Sequence, residues 1–252
     1  MGNNRVRFKS KVVFISGGSK GIGFATAKAF LLEGAIVIIC SRSKENVENA
    51  VERLKEFGEE VYGEIGDLTN ETTVIKIFEK INNRFSGINI LVNSAGIAKR
   101  AEIEDITLNE WHYYLDNNLT NCFLTCKHVL KYMKKKKYGK IINISSIAGR
   151  FRSKLSGLHY TCAKSAIISL TRQLAAEVAK YGINVNAICP GQTKTEMLEP
   201  FLAGNGDNIL KESIPLGYIA SPEQQAEVIL FLASEQANYI TGAIIDVNGG
   251  QL

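Results

Sequence analysis

Tyr160 and Lys164 stand four residues apart in the run Tyr160-Thr161-Cys162-Ala163-Lys164, and Ser146 lies fourteen residues upstream. On a helix that spacing places both side chains on one face, so a phenol hydroxyl and an ammonium can share one site. The chemistry open to such a pair is proton transfer. A phenol with a reference pKa of about 10 shuttles protons poorly at neutral pH, but a fixed cation beside it favours the phenolate. Bringing it to about 7 takes roughly 4 kcal/mol of differential interaction, at about 1.36 kcal/mol per unit. Taken alone, Tyr-x-x-x-Lys also recurs by chance on exposed helix faces, so its meaning depends on the elements around it.

The chain has 252 residues, 45% of them hydrophobic and 22% charged, the balance of an ordinary globular protein. The net charge of +5 is modest, and outside Lys134 to Lys137 the basic residues are scattered, so no nucleic-acid partner is expected. Five cysteines without a Cys-x-x-Cys spacing argue against a disulfide framework and a zinc site. Cys122, Cys126 and His128 lack a fourth candidate ligand, so no metal is expected. Met1 to Ser10 is polar and basic, unlike a signal peptide, and no apolar run approaches the roughly 20 residues a membrane span needs. The expectation is a cytoplasmic chain with no membrane contact, its Asn-x-Ser/Thr triplets at Asn70, Asn118 and Asn143 unmodified.

The elements that would position the tyrosine begin with Val12 to Ile15, a short apolar run suited to a buried parallel strand. Gly17, Gly18, Gly21 and Gly23 follow, and then Ile22, Ala25, Ala29 and Leu32 recur at helical spacing until Gly34. Strand, glycine turn and helix make the phosphate-binding half of a dinucleotide fold, where the helix N-terminus faces an anion. A glycine loop by itself is also simply a tight turn. The next apolar run, Ala35 to Cys40, ends in Ser41-Arg42-Ser43-Lys44, where the fold reads the adenosine ribose. An acid there would favour NAD, whereas an arginine accommodates the 2′-phosphate of NADP. Arg42, with Lys20 as a second cation, therefore points to NADP(H), with NAD(H) the less favoured cofactor. Further runs at Val61 to Ile65, Ile88 to Val92, Lys140 to Ser146, Asn184 to Ile188 and Ala243 to Val247 alternate with helical segments. The pattern predicts a single-domain, Rossmann-like, doubly wound α/β fold: a parallel seven-stranded sheet with helices on both faces.

The spacing Gly17-x-x-x-Gly21-x-Gly23, the run Asn93-Ser94-Ala95-Gly96, and Ser146, Tyr160 and Lys164 in this order together resemble the short-chain dehydrogenase/reductase family. Ser94 stands where that family usually has a second Asn. The C-terminal Tyr239-Ile240-Thr241-Gly242 and Val247-Asn248-Gly249-Gly250 look most like 3-oxoacyl-carrier-protein reductases and their broad-specificity relatives. The resemblance implies hydride transfer between NADP(H) and a carbonyl or secondary alcohol, with Asn118, Ser146, Tyr160 and Lys164 as the catalytic set. By register the asparagine is Asn118, with Asn117 the neighbouring alternative. It further implies a cofactor site of Gly17, Ser19, Lys20, Gly21, Ile22, Gly23, Ser41, Arg42, Asp67, Leu68, Asn93, Ala95 and Gly96. Tyr160, Lys164, Pro190, Gly191, Thr193 and Thr195 would complete it. Asp67 fits either an adenine contact or a cap for the helix starting near Asn70.

The expected layout is a tail over 1–10, a mainly cofactor half over 11–96 and a catalytic and substrate half over 97–252. Within the second half, a lid is expected at about 192–214, which includes Gly204, and one long helix is expected from Trp111 to Lys137. Substrate is less defined. A 3-oxoacyl thioester on an acyl carrier protein would want cations beside the mouth, where Lys137 is the candidate but Tyr181 stands at a second position of that kind. Arg150, Arg152 and Lys154 could serve a small acidic substrate, and a steroid, sugar or small ketone stays open. So does a non-catalytic NADP-binding sensor, though ligand binding alone needs no proton relay. The family implies a homotetramer formed through the helices at about 118–137 and 160–181.

Overall fold

A computed structural model of the chain describes residues 6–153, 155–202 and 206–251, so Lys154 and Gly204 lie outside the described residues. The first half runs β1 (Val12–Ser16), α1 (Gly21–Leu32), β2 (Ile36–Ser41), α2 (Lys44–Leu54), β3 (Val61–Ile65), α3 (Glu71–Phe85) and β4 (Ile90–Asn93). The second half adds α4 (Leu108–Leu115), α5 (Asn121–Lys136), β5 (Gly139–Ile144), α6 (Ile147–Arg150), α7 (Leu158–Val178) and β6 (Ile183–Pro190). It closes with α8 (Gly206–Glu212), α9 (Pro222–Ala233) and β7 (Ile244–Val247). The seven strands form one parallel sheet in the order β3-β2-β1-β4-β5-β6-β7.

The apolar runs become central strands because both of their faces are covered. Val12 and Phe14 join a core with Phe78, Val129 and Ile167 from α3, α5 and α7. Val13 and Ile15 join the opposite core with Phe30, Leu54 and Ile229 from α1, α2 and α9. Strand alternation thus feeds two helical layers at once, and burying each such side chain contributes about 2 kcal/mol. From β1 the chain crosses to β2 and β3 on one side, then returns to β4 on the other. That reversal opens a crevice beyond the carboxyl ends of β1 and β4, where sheets of this kind bind ligands.

Three local expectations are corrected. The stretch from Trp111 to Lys137 is not one regular helix: α4 and α5 are joined by a π-helical turn, Asp116–Thr120. Asn118 Nδ2 there donates to the carbonyls of Tyr114 and Ile97, both at 2.9 Å, and such side-chain bonding to main chain favours a widened turn. Asn70, not Asp67, caps α3, its Oδ1 accepting from Thr73 N at 3.0 Å. Asp67 Oδ1 instead accepts from Thr69 N at 2.9 Å in a local turn. Finally, the segment after β6 is less polar in its packing than its composition suggests. Leu198, Leu210, Ile214 and Ile219 bury together, with Leu155, Phe201 and Leu202 against them.

Candidate active site

Tyr160 lies in the first turn of α7, and Ser146 stands between β5 and α6, where its Oγ accepts from Ala148 N at 3.1 Å. The neighbouring Ser145 turns the other way, as strand alternation requires, and donates to the Lys164 carbonyl at 2.7 Å. Lys164 is buried one turn beyond Tyr160, with its Nζ donating to Ile144 O at 2.9 Å and 5.6 Å from the Tyr160 ring centroid. Asn118 is fully buried and holds the chain at Ile97 from both sides, accepting from Ile97 N at 3.2 Å as well as donating to its carbonyl. Gly96 makes this convergence possible, because a Cβ there would lie 2.7 Å from Asn118 Oδ1 and 3.3 Å from Lys164 Nζ. Asn118, Gly96 and Lys164 thus meet behind Tyr160.

Burial pushes the Tyr160 hydroxyl above the ordinary phenol value, against a smaller downward pull from its hydrogen bond with Ser146. Burial also lowers Lys164 to about 8. The downward pull comes from Ser146, while Lys164 gives one of its three ammonium protons to Ile144 O and keeps its charge beside the ring.

These side chains line the deep end of a cavity of ≈ 570 Å³ that continues over the glycine turn to the end of β2. Of the site residues expected from sequence, all line it except Gly23, Asn93 and Asn118. Gly23 packs on the Gly17 carbonyl, with no space for a side chain. Asn93 is buried below, donating to Asn143 Oδ1 at 2.9 Å and accepting from Thr125 Oγ1 at 2.7 Å. Gly17 has φ +68, and a Cβ on it would lie 2.8 Å from the Ala95 backbone.

The cavity's chemistry fits a dinucleotide. The N-terminus of α1 has no side-chain cap and no acid in its first turn, leaving its amide donors and dipole for an anion. Arg42 lines the far end, its Nη1 donating to Asn117 Oδ1 at 3.0 Å. Lys20 leans instead toward Glu196, 3.8 Å away across the cavity mouth, and both side chains are about half exposed. Sequence reasoning treated Asn117 only as a rival for Asn118; its role as the brace for Arg42 depends on a contact 75 residues away, which no local pattern signals.

A family model described as "Enoyl-(Acyl carrier protein) reductase" matches residues 17–251. The chain belongs to the short-chain dehydrogenase/reductase family. As a member of that family it is an oxidoreductase. It is 38% identical to the 3-oxoacyl-[acyl-carrier-protein] reductase FabG of Aquifex aeolicus, over 97% of this chain and 98% of that protein. It is 35% identical to a 3alpha-hydroxysteroid dehydrogenase of Mediterraneibacter gnavus, over 96% of each chain. Its fold matches the Pseudomonas aeruginosa RhlG/NADP active-site complex with a TM-score of 0.93 at 28% identity, covering 99% of both chains.

Two expectations about cations near this family's site are also corrected. Arg150 does not face the cavity but forks onto Asp246, with bonds of 3.0 and 2.9 Å that tie α6 to β7. Arg152 is exposed and does not line the cavity. Lys137 ends α5 just before β5 begins, whereas Ser146 follows the other end of β5. At about 3.3 Å per residue, a six-residue strand puts the two roughly 20 Å apart, beyond opposite ends of β5. Lys137 is therefore not beside the mouth of its own chain's cavity.

Proposed function

We propose that this oxidoreductase interconverts a carbonyl and a secondary alcohol using NADP(H). The observation that carries the proposal is the meeting of Ser146, Tyr160 and Lys164 at one end of a cavity whose other end presents Arg42. Bound there, the nicotinamide would supply or accept the hydride, and its oxidised ring would add a second positive charge near the phenolate. Arg42 fits the 2′-phosphate, the α1 N-terminus fits the pyrophosphate, and Pro190, Gly191 and Thr195 wall the nicotinamide end. In reduction Tyr160 donates its hydroxyl proton to the substrate oxygen while Ser146 orients that oxygen. Lys164 then favours the phenolate electrostatically, and the free Oδ1 lone pair of Asn118 can hold a water that returns the proton. Both amide protons of Asn118 are committed to carbonyls, so only its acceptor side is available.

Leu155, Met197, Leu198 and Phe201 also line the cavity, with Ser153 and Ser156 among its hydroxyls. An apolar chamber suits a 3-oxoacyl thioester, as the FabG relatives suggest, or a steroid, as the hydroxysteroid dehydrogenase relative suggests, better than a sugar. The deciding assay follows NADPH oxidation against acetoacetyl thioesters, ketosteroids, small ketones and oxidised sugars, with NADH in parallel. Tyr160→Phe is expected to abolish turnover while NADPH binding stays nearly intact; retention of most activity would sink the assignment.

A further inference from the structure

His159, immediately before Tyr160, is fully buried and unused by the mechanism above. Its Nδ1 accepts from the Tyr160 backbone amide at 2.7 Å. Gly157 at the N-cap of α7 has no side chain to take a first-turn amide, so the imidazole serves in its place. The ring also lies flat on Tyr114, with centroids 3.8 Å apart and planes 3° from parallel. The Tyr114 carbonyl in turn receives Asn118 Nδ2. One imidazole therefore touches the backbone of the proposed proton donor on one side and, on the other, the α4 residue whose carbonyl receives Asn118.

We propose that His159 is a positioning residue, holding Tyr160 and the Asn118 turn in one arrangement through this cap and stack, and that only the neutral imidazole can do so. The inference rests on the assignment of Tyr160 as proton donor. An Nδ1 that accepts leaves the ring proton on Nε2, which has no hydrogen-bond partner among the described residues. A second proton would enter at Nδ1 and set two donors face to face at the Tyr160 amide. It would also place a cation at a helix N-terminus, where the dipole opposes it. Burial already holds His159 below its ordinary value. The titratable groups facing it are Glu110, Lys99, Tyr114 and Tyr160. Glu110 is pulled down, Lys99 is pushed up, and both phenols are raised, so none of these changes charge between the carboxylate range and neutrality. Turnover should therefore fall on the acid side as His159 gains its proton.

The test is the kcat profile, from about pH 5 to about pH 9, of the wild type, His159→Asn and His159→Phe on the best carbonyl of the panel. Asparagine places an acceptor where Nδ1 stands and does not titrate; phenylalanine keeps the stack but cannot accept. Expected are an acid limb in the wild type, its disappearance in His159→Asn with kcat near pH 8 within about threefold of wild type, and about a tenfold kcat loss in His159→Phe with the NADPH KM within about twofold. A wild type with no acid limb, an Asn variant whose limb superimposes on the wild type's, or a Phe variant with undiminished kcat would each overturn the proposal. Should the Phe variant not fold, the Asn profile decides alone. Tyr160→Phe in the same assay tests the underlying assignment separately, since its retention of activity would refute the proton donor whatever His159 does.

Discussion

Arg42 follows β2 with one guanidinium nitrogen on Asn117, which leaves the rest of its fork for a phosphate. Charge-assisted pairs of this kind are worth about 1.5–3 kcal/mol, so Arg42→Ala is expected to weaken NADPH binding by about tenfold to a hundredfold while changing NADH little. Fluorescence titration with both cofactors checks this, and equal losses for the two would remove Arg42 from phosphate recognition. The residues proposed for the chemistry were legible in the sequence because they sit at short fixed intervals: Tyr160 and Lys164 on one helix, Ser146 at a strand end. Their protonation was not. The rise of the Tyr160 pKa comes from burial by elements far apart in the chain, which the four-residue spacing to Lys164 does not report.

At the scale of elements, Asn118 explains why two helical segments are joined by a wider turn. Asn118→Leu strands the Ile97 amide and carbonyl, and each unmet buried group costs about 1–3 kcal/mol. The expected result is a lower melting temperature together with loss of turnover, read by calorimetry and by the NADPH assay. A different device joins β5 to β6: Lys140 is buried, donating to Asn184 Oδ1 at 2.8 Å and Asn238 Oδ1 at 2.6 Å, and burial lowers its pKa to about 8. The unfolded chain keeps that proton up to about pH 10.4, so between those values the unfolded state binds more protons and this group's contribution to stability rises with pH. Buried thiols such as Cys40, pushed up to about 12, act in the opposite sense, so the wild-type curve alone does not isolate the lysine. The melting-temperature difference between wild type and Lys140→Met should move in favour of the wild type from about pH 8 to about pH 10. A difference independent of pH would mean that Lys140 keeps its proton throughout. Strand runs showed their places through continuous apolar stretches, whereas the π-helical turn did not, because its cause is a bond from Asn118 to a loop 21 residues upstream.

For the whole molecule, the order β3-β2-β1-β4-β5-β6-β7 is one of several that right-handed crossovers allow, whereas a parallel sheet with helices on both faces could be stated from the alternation of strands and helices. The face that meets another copy could not be, since apolar helix stripes serve cores and interfaces alike. Phe123 on α5 is 48% exposed, on the outer side of one helix proposed to form a homotetramer. Phe123→Glu is expected to lower the mass measured by light scattering from tetramer to a smaller species without unfolding the chain. An unchanged mass would place the interface elsewhere. That outer side owes its direction to the π-helical turn. One residue more than an α-turn advances everything after it by about 100° around the axis. The turn is therefore a phase setting, which directs Cys126, Val129 and Met133 inward and Phe123 outward from one helix. Deleting a single residue between 116 and 120 would remove that extra residue and let an ordinary α-turn join α4 to α5 with the same faces inward. Straightening the turn at full length would instead rotate all of α5 at once, exchanging core for surface along its length.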